Sequence, residues 1–157
     1  TGNMKFMMNG AVTVATMDGA NVEIHREVGD DNIIVFGLSS DEVINYNIHG
    51  GYYSRDVINN DPRIAKIINQ ISTSYDGLAP MGEFHQIVHH LTDANDPFYT
   101  LADFDSYVKA QNSINDLFRD KDRWNKMAAT NIACSGVFSS DNTIKRYADE
   151  IWKVNIR

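Results

Sequence analysis

The sequence has few of the features that mark secreted, membrane-spanning or nucleic-acid-binding chains. Cys134 is its single cysteine, so no disulfide can form within the chain, which fits a reducing cytoplasm. No signal peptide is visible, and no apolar run approaches the roughly 18 residues that cross a bilayer. The net charge is −7, and no basic cluster offers a surface for nucleic acid. We therefore expect a cytoplasmic protein that binds neither membranes nor nucleic acid.

The length and composition are those of one globular domain with a real core. The chain has 157 residues, of which 43% are hydrophobic. No internal repeat or low-complexity segment is present. The chain begins at Thr1, without an initiator methionine and already inside a motif. We expect it to be a piece of a longer protein.

Short apolar runs alternate with helical segments in the first quarter of the chain. Residues 11–16 and 33–36 are rich in β-branched side chains and predict two buried strands. Helices are predicted over residues 2–9 and 20–28, and a third begins after Ser39 or Ser40. This alternation predicts an α/β fold with a parallel sheet. Because two strands are too few for a complete sheet, we expect the last part of a doubly wound, Rossmann-like domain.

The rest of the chain is predicted to be helical, with two apolar stripes. One predicted core stripe recurs at helical spacing and comprises Ile64, Ile67, Ile68 and Ile71. The last helix, predicted over residues 142–153, carries a second stripe that needs a docking surface. This stripe comprises Ile144, Tyr147, Ala148, Ile151 and Trp152.

The first five residues suggest a binding site for a phosphate-bearing aldehyde. Thr1 and Gly2 stand where the first helix begins, and the free amides of a helix start suit a phosphate. Lys5 follows one turn later, so its amine shares a face with Thr1. Pyridoxal phosphate could span this face, with its aldehyde joined to Lys5 as an imine. The plainer alternative is a solvated surface lysine.

The residues next to Lys5 favour the coenzyme interpretation. Met4, Phe6, Met7 and Met8 are expected to surround the amine with apolar groups. A desolvated amine is more often uncharged, and the uncharged form is the one that attacks an aldehyde.

Other candidate chemistry is weaker. His85 and His89 share a helix face four residues apart, a spacing that can hold a metal ion, with His90 beside them. The zinc-protease glutamate is missing and no distant ligand set completes a site, so we predict surface histidines and no metal. Ser135 and Ser139 lack the strand–turn–helix elbow of a catalytic serine, and we predict no catalytic residue in this chain.

Three segments of the sequence resemble the α-glucan phosphorylases, the glycogen, starch and maltodextrin phosphorylase family. The first is TGNMKFMMNGAVTVATMDGANVEI at residues 1–24, which resembles the segment around the family's cofactor lysine. Residues 103–111 resemble the long C-terminal helix of the family, and residues 133–152 its last helical region.

The resemblance implies a fold and a coenzyme site. Residues 1–157 would be the C-terminal portion of the cofactor-binding domain of a GT-B type protein, with its N-terminal domain and the first half of this domain absent. Lys5 would carry pyridoxal 5′-phosphate as a Schiff base, and Thr1 and Gly2 would help to hold the coenzyme phosphate.

The resemblance also implies a reaction. The full-length protein, expected to be a homodimer, would transfer a glucosyl unit from the non-reducing end of an α-1,4-glucan to inorganic phosphate. The product is α-glucose 1-phosphate, and the coenzyme phosphate handles the proton while Lys5 only tethers the coenzyme. We expect the isolated chain to be inactive, and allosteric regulation is left open.

Two alternatives stand beside this hypothesis. One is a helical interaction or regulatory module without a cofactor, whose partner surface would be the stripe of residues 144–152. The other is a nucleotide-sugar transferase half-domain of related architecture. That function would need an acid that recognises a ribose or base and a basic phosphate clamp, and neither is evident in the sequence.

Overall fold

The computed structural model describes residues 1–154, so the last three residues of the predicted domain 1–157 lie outside the described part. The described chain forms two compact units. The first unit comprises Thr1–Phe36 together with the described residues from Lys109 onward, and the second comprises Gly37–Val108.

The described elements are mostly helical, with one pair of strands. In chain order they are α1 (Gly2–Met8), β1 (Val14–Ala15), α2 (Ala20–Val28), a 3₁₀ turn (Asp30–Asn32), β2 (Ile34–Val35), α3 (Ser40–His49), α4 (Ser54–Asn60), α5 (Pro62–Ser72), α6 (His85–Leu91), α7 (Phe104–Arg119), α8 (Lys121–Cys134), a second 3₁₀ turn (Ser135–Phe138), α9 (Ser140–Arg146) and a π-helical turn (Tyr147–Trp152).

The strands of the first unit are parallel, as the sequence predicts. Val14 pairs with Ile34 and Ala15 with Val35. The Phe36 amide extends the ladder by donating to the Ala15 carbonyl at 3.1 Å. Both strands are shorter than predicted, whereas α2 begins and ends at the predicted residues. The prediction of a helix-rich α/β chain with two parallel strands is confirmed.

The core of the first unit gathers apolar side chains from both ends of the sequence. Its fully or nearly buried cluster comprises Met7, Ile24, Val28 and Ile33. Cys134 and Phe138 pack against this cluster. Because Ile24 and Val28 lie one turn apart on α2, one face of that helix covers the core while the other faces solvent.

A glycine lets α1 approach α8 closely. Gly10 follows the end of α1 with φ +81°, a conformation that side-chain-bearing residues rarely adopt. A Cβ at this position would lie 3.2 Å from Cδ1 of Ile132 on α8. Both the backbone conformation and the close approach therefore favour glycine here.

Two helices of the second unit, α3 and α5, begin with side-chain caps. Ser39 accepts a hydrogen bond from the Glu42 amide, and the Glu42 carboxylate accepts one from the Ser39 amide, so α3 starts with a complete capping box. The carboxylate of Asp61 accepts from the Arg63 amide at 2.8 Å, and Pro62 occupies the first position of α5. The start of α3 matches the predicted one.

The interior of the second unit includes buried polar groups beside its buried apolar side chains. Asp96 is 1% exposed, and its carboxylate accepts hydrogen bonds from the Tyr52 hydroxyl and the Leu101 amide, both at 2.7 Å. The side-chain oxygen of Asn95 accepts a hydrogen bond from the backbone amide of Ser54, and Ser54 is also fully buried. The contacts with Tyr52 and Ser54 join the loop between α6 and α7 to the start of α4, and the contact with Leu101 lies within that loop.

Two sequence predictions about helices need correction. Ile64 is buried, but Ile67 of the same predicted core stripe is 44% exposed, because α5 is covered by α4 and α6 over only part of its apolar face. The last helix is not one α-helix over residues 142–153. It changes at Tyr147 from α to π geometry, and Lys153 adopts a left-handed conformation that ends it.

Candidate functional site

Thr1, Gly2 and Lys5 all lie at the start of α1. Thr1 is the N-cap residue and Gly2 the first helical residue. The Lys5 amide donates to the Thr1 carbonyl at 3.1 Å, which closes the first turn. Thr1 and Lys5 therefore lie one turn apart on the same face of α1, where the sequence predicted them.

The surroundings of Lys5 differ from the prediction. Lys5 is exposed, as are Phe6 (69%) and Met8 (57%), while Met7 is fully buried. The expectation that apolar neighbours desolvate the amine is wrong for the described chain. Neighbouring residues of a helix project about 100° apart, so residues adjacent in sequence do not enclose one another.

Neither the backbone conformation nor a close contact among the described residues requires glycine at position 2. Its φ is outside the left-handed region, and a Cβ built on it would meet no heavy atom of the described chain within 4 Å. Glycine near a helix start lets a ligand come close to the backbone amides. The open space at Gly2 and the exposed amine one turn away fit a coenzyme that carries both a phosphate and an aldehyde.

The sequence analysis missed a pair of asparagines that hold α1. The side-chain nitrogen of Asn3 donates to the side-chain oxygen of Asn21 at 2.7 Å. The Asn21 nitrogen in turn donates to the Thr16 carbonyl at 3.0 Å and to the Asp18 carboxylate at 3.2 Å. The spacing of Asn21 could have indicated this contact. Asn21 lies three residues before Ile24, on the same face of α2, and Ile24 is buried.

These asparagine contacts connect α1 to the turn that leaves β1. Residues Thr16–Gly19 form this turn, and Gly19 adopts φ +47° as the N-cap residue of α2. The turn lies beyond the carboxyl end of β1, the edge where open α/β sheets hold their ligands. The start of α1, which carries Lys5, is thus fixed to this edge of the sheet.

The histidine-bearing helix forms no metal site within residues 1–154. The rings of His85 and His89 are parallel with their centroids 6.4 Å apart, and Nδ1 of His89 lies 3.3 Å from an Asp93 oxygen. Residues 1–154 contain no group of three His, Cys, Asp or Glu side chains that could hold an ion. Over the same residues, no helix is both long enough and apolar enough to span a bilayer.

The second unit has a cavity of about 480 Å³ that the sequence did not reveal. Arg63 lies beside it, 5.0 Å from the centre of the Phe104 ring and within 2.5 Å of both Asp61 and Asp105. Hydrogen bonding from Arg63 lowers the pKa of Asp61 to about 2. The Arg63 guanidinium is thus occupied by two carboxylates, which limits its use as an anion clamp.

Known relatives share the sequence along almost all of the chain. Residues 1–154 match the carbohydrate phosphorylase family. The chain is 47% identical over 155 residues to the glycogen phosphorylase of Bacillus subtilis (strain 168) and 38% identical over 154 residues to that of Chlamydia pneumoniae. It is 41% identical over 154 residues to the muscle form of glycogen phosphorylase of Mus musculus.

The alignments cover 98% of this chain in each case but only 18–19% of each relative. The chain therefore spans about one fifth of the length of the relatives it matches. The family match, the parallel strands and the helix that begins at Gly2 agree with one another. The chain belongs to the carbohydrate phosphorylase family.

Proposed function

We propose that this chain is the coenzyme-bearing part of a longer α-glucan phosphorylase. The longer protein would transfer a glucosyl unit from the non-reducing end of an α-1,4-glucan to inorganic phosphate and release α-glucose 1-phosphate. Support comes from the relatives, which are named glycogen phosphorylase and match 98% of the chain. Residues 1–157 would then be the C-terminal portion of the coenzyme-binding, GT-B type domain.

In this proposal, residues at the start of α1 hold pyridoxal 5′-phosphate. The phosphate of the coenzyme supplies a group with a second pKa of about 6, which can exchange a proton near neutral pH. Lys5 holds the coenzyme covalently and fixes its position. Thr1 and the backbone amide of Gly2 bind its phosphate, and the helix dipole favours that negative charge. None of these residues acts on the glucan itself.

One observation carries the assignment: the Lys5 amine is exposed on the same face of α1 as Thr1, and the space at Gly2 is open. A ligand can therefore reach the amine and the helix start together. The exposure also supports a site completed by chain outside this sequence, since a coenzyme enclosed by one helix face alone would remain in water. On this basis we expect the isolated chain to have no phosphorylase activity.

The last helical segment supports the same view of a partial protein. Ile151 is 64% exposed and Trp152 is 56% exposed, although both belong to the predicted docking stripe. Large apolar groups on one surface usually mark an interface. We assign this surface to packing against the rest of the longer protein. The homodimeric state and the cytoplasmic location of the longer protein stay predictions.

Substitution of Lys5 in the full-length protein tests the proposal. Lys5→Ala removes the amine, and Lys5→Arg keeps the positive charge but cannot form the covalent link. Both variants should lose the coenzyme on gel filtration and lose phosphorolysis, measured as release of glucose 1-phosphate. The matched control is Lys66→Ala, which removes an equally exposed lysine from α5.

The control should retain full coenzyme content and activity. A Lys5→Arg protein that still carried pyridoxal phosphate covalently would show that another lysine is the attachment site. Loss of coenzyme from Lys66→Ala to the same degree would remove the assignment of a specific role to Lys5.

A further inference from the structure

Within residues 1–154, the helix that carries Lys5 packs through the face that bears Asn3 and Met7. Asn3 and Met7 lie four residues apart, so they project from the same side of α1. Met7 is fully buried in the core cluster, and Asn3 bonds Asn21. The same arrangement recurs on α2. Asn21 makes the polar contact near the start of this helix, and Ile24 and Val28 make the apolar contacts further along it.

The hydrogen bonds of Asn21 have a fixed direction. The Thr16 carbonyl can only accept, and so can the ionised carboxylate of Asp18, so both must face the Asn21 nitrogen. The Asn21 oxygen then faces Asn3, which must present its own nitrogen. A rotated amide on either asparagine would place like groups together. The Asn3–Asn21 contact therefore has one favourable geometry.

The apolar contact of Met7 restricts the rotation of α1 about its axis only coarsely, because burial of apolar surface is not directional. A hydrogen bond at 2.7 Å between a buried and an exposed amide is directional. It acts in the first turn of α1, two residues from Lys5, where a small rotation would move the amine and the first amides together.

We propose that Asn3 and Asn21 are positioning residues for the coenzyme lysine: their hydrogen bond sets the rotation of α1 and so the direction in which Lys5 presents the coenzyme. The inference rests on the proposed function. Neither asparagine contacts the coenzyme through its amide group in this scheme. Each acts through the helix backbone, and displacement of a reacting group by about 1 Å can lower a rate by about a hundredfold.

The test uses the full-length protein loaded with pyridoxal phosphate, in the variants Asn3→Ala, Asn21→Ala and the double variant. Asn125→Ala is the matched control, since Asn125 is an exposed asparagine on α8. Borohydride reduction followed by peptide mapping confirms that the coenzyme is on Lys5. The fluorescence anisotropy of the reduced pyridoxyl group then measures how firmly that group is held, and steady-state kinetics give kcat and KM.

Each single variant should keep the label on Lys5 but lower kcat by about tenfold to a hundredfold, with KM changed less than about twofold. The anisotropy should fall in both. The kcat and the anisotropy of the double variant should be no lower than those of the less active single variant, because both substitutions remove the same contact. Asn125→Ala should match the wild type in every measurement.

Three results would overturn the inference. The first is kcat and anisotropy values for both single variants that equal those of Asn125→Ala. The second is a double variant whose losses multiply, since the two residues would then act separately. The third is a wild-type protein without a label on Lys5, which refutes the proposed function and the inference with it. If Asn21→Ala does not fold, Asn3→Ala decides, because Asn3 is exposed and its loss leaves the core intact.

Discussion

The two units of this chain differ in the balance of apolar and polar groups that they bury. The first buries mostly aliphatic and methionine side chains, with Met7 completely buried, although polar Asn131 is completely buried there too. In the second, the most deeply buried side chains include Asp96 and Ser54. The Asp96 carboxylate accepts a hydrogen bond from the Tyr52 hydroxyl, and the Ser54 hydroxyl donates one to a backbone carbonyl. Apolar burial tolerates small shifts, whereas a buried carboxylate is stable only while its donors stay in place.

This difference explains how the first unit can expose its candidate site. Lys5 and its neighbours on the outer face of α1 contribute little to the core, because Met7 alone anchors that helix in the apolar cluster. The outer face is therefore free to serve a ligand. The contrast predicts that a truncation of one apolar residue should damage the first unit more than loss of one polar contact damages the second.

The largest effect on stability is expected from Met7→Ala. Truncation of a fully buried methionine usually costs about 2–5 kcal/mol of unfolding free energy, through lost burial and the cavity left behind. The adjacent Met8→Ala is the matched control, because Met8 is 57% exposed and its loss opens no cavity. Urea unfolding followed by tryptophan fluorescence checks the prediction, since Trp124 and Trp152 both belong to the first unit.

Met7→Ala should also loosen α1 and weaken coenzyme retention in the full-length protein, while Met8→Ala should not. Equal destabilisation by the two variants would contradict the comparison, because it would show that α1 is not anchored by its inner face.

A smaller effect is expected in the second unit from Tyr52→Phe. The variant removes one of the two described hydrogen bonds to the Asp96 carboxylate, which should cost about 1–3 kcal/mol near neutral pH. Burial, and then the hydrogen bond to Asp96, raise the pKa of Tyr52 above its ordinary value. The folded chain thus holds the phenol proton more tightly than the unfolded chain does.

The raised pKa of Tyr52 determines how its contribution to stability depends on pH. The contribution of Tyr52 is complete below the unfolded pKa of about 10 and is lost as the pH rises through the folded pKa. The stability gap between wild type and Tyr52→Phe should therefore narrow between about pH 8 and about pH 11. Urea midpoints at both values measure the gap, and a gap that stays constant or widens would contradict the raised pKa.

The sequence predicts the local elements well because the signals for them are local. Ser39 caps the helix that it was expected to start, and α2 has the predicted bounds. The alternation of helices and strands also predicted the parallel pairing. Thr1 and Lys5 share a helix face because a helix start and a spacing of four residues are visible in the sequence.

The sequence does not predict contacts between distant segments. Asn3 meets Asn21 from 18 residues away, and Asp96 meets Tyr52 from 44 residues away. Nothing in the periodicity says which polar residues will be buried together. The sequence also does not predict the exposure of Lys5, because apolar residues adjacent to it in sequence project in other directions from the helix. The family resemblance supplied the coenzyme hypothesis, which spacing alone could not.

The most direct test of the account is the chemical location of the coenzyme. The full-length protein should be reduced with borohydride, digested and mapped by mass spectrometry. The account predicts a pyridoxyl group on the peptide that contains Lys5 and on no other lysine. A label on a different lysine, or no label on a protein that still carries out phosphorolysis, would contradict it.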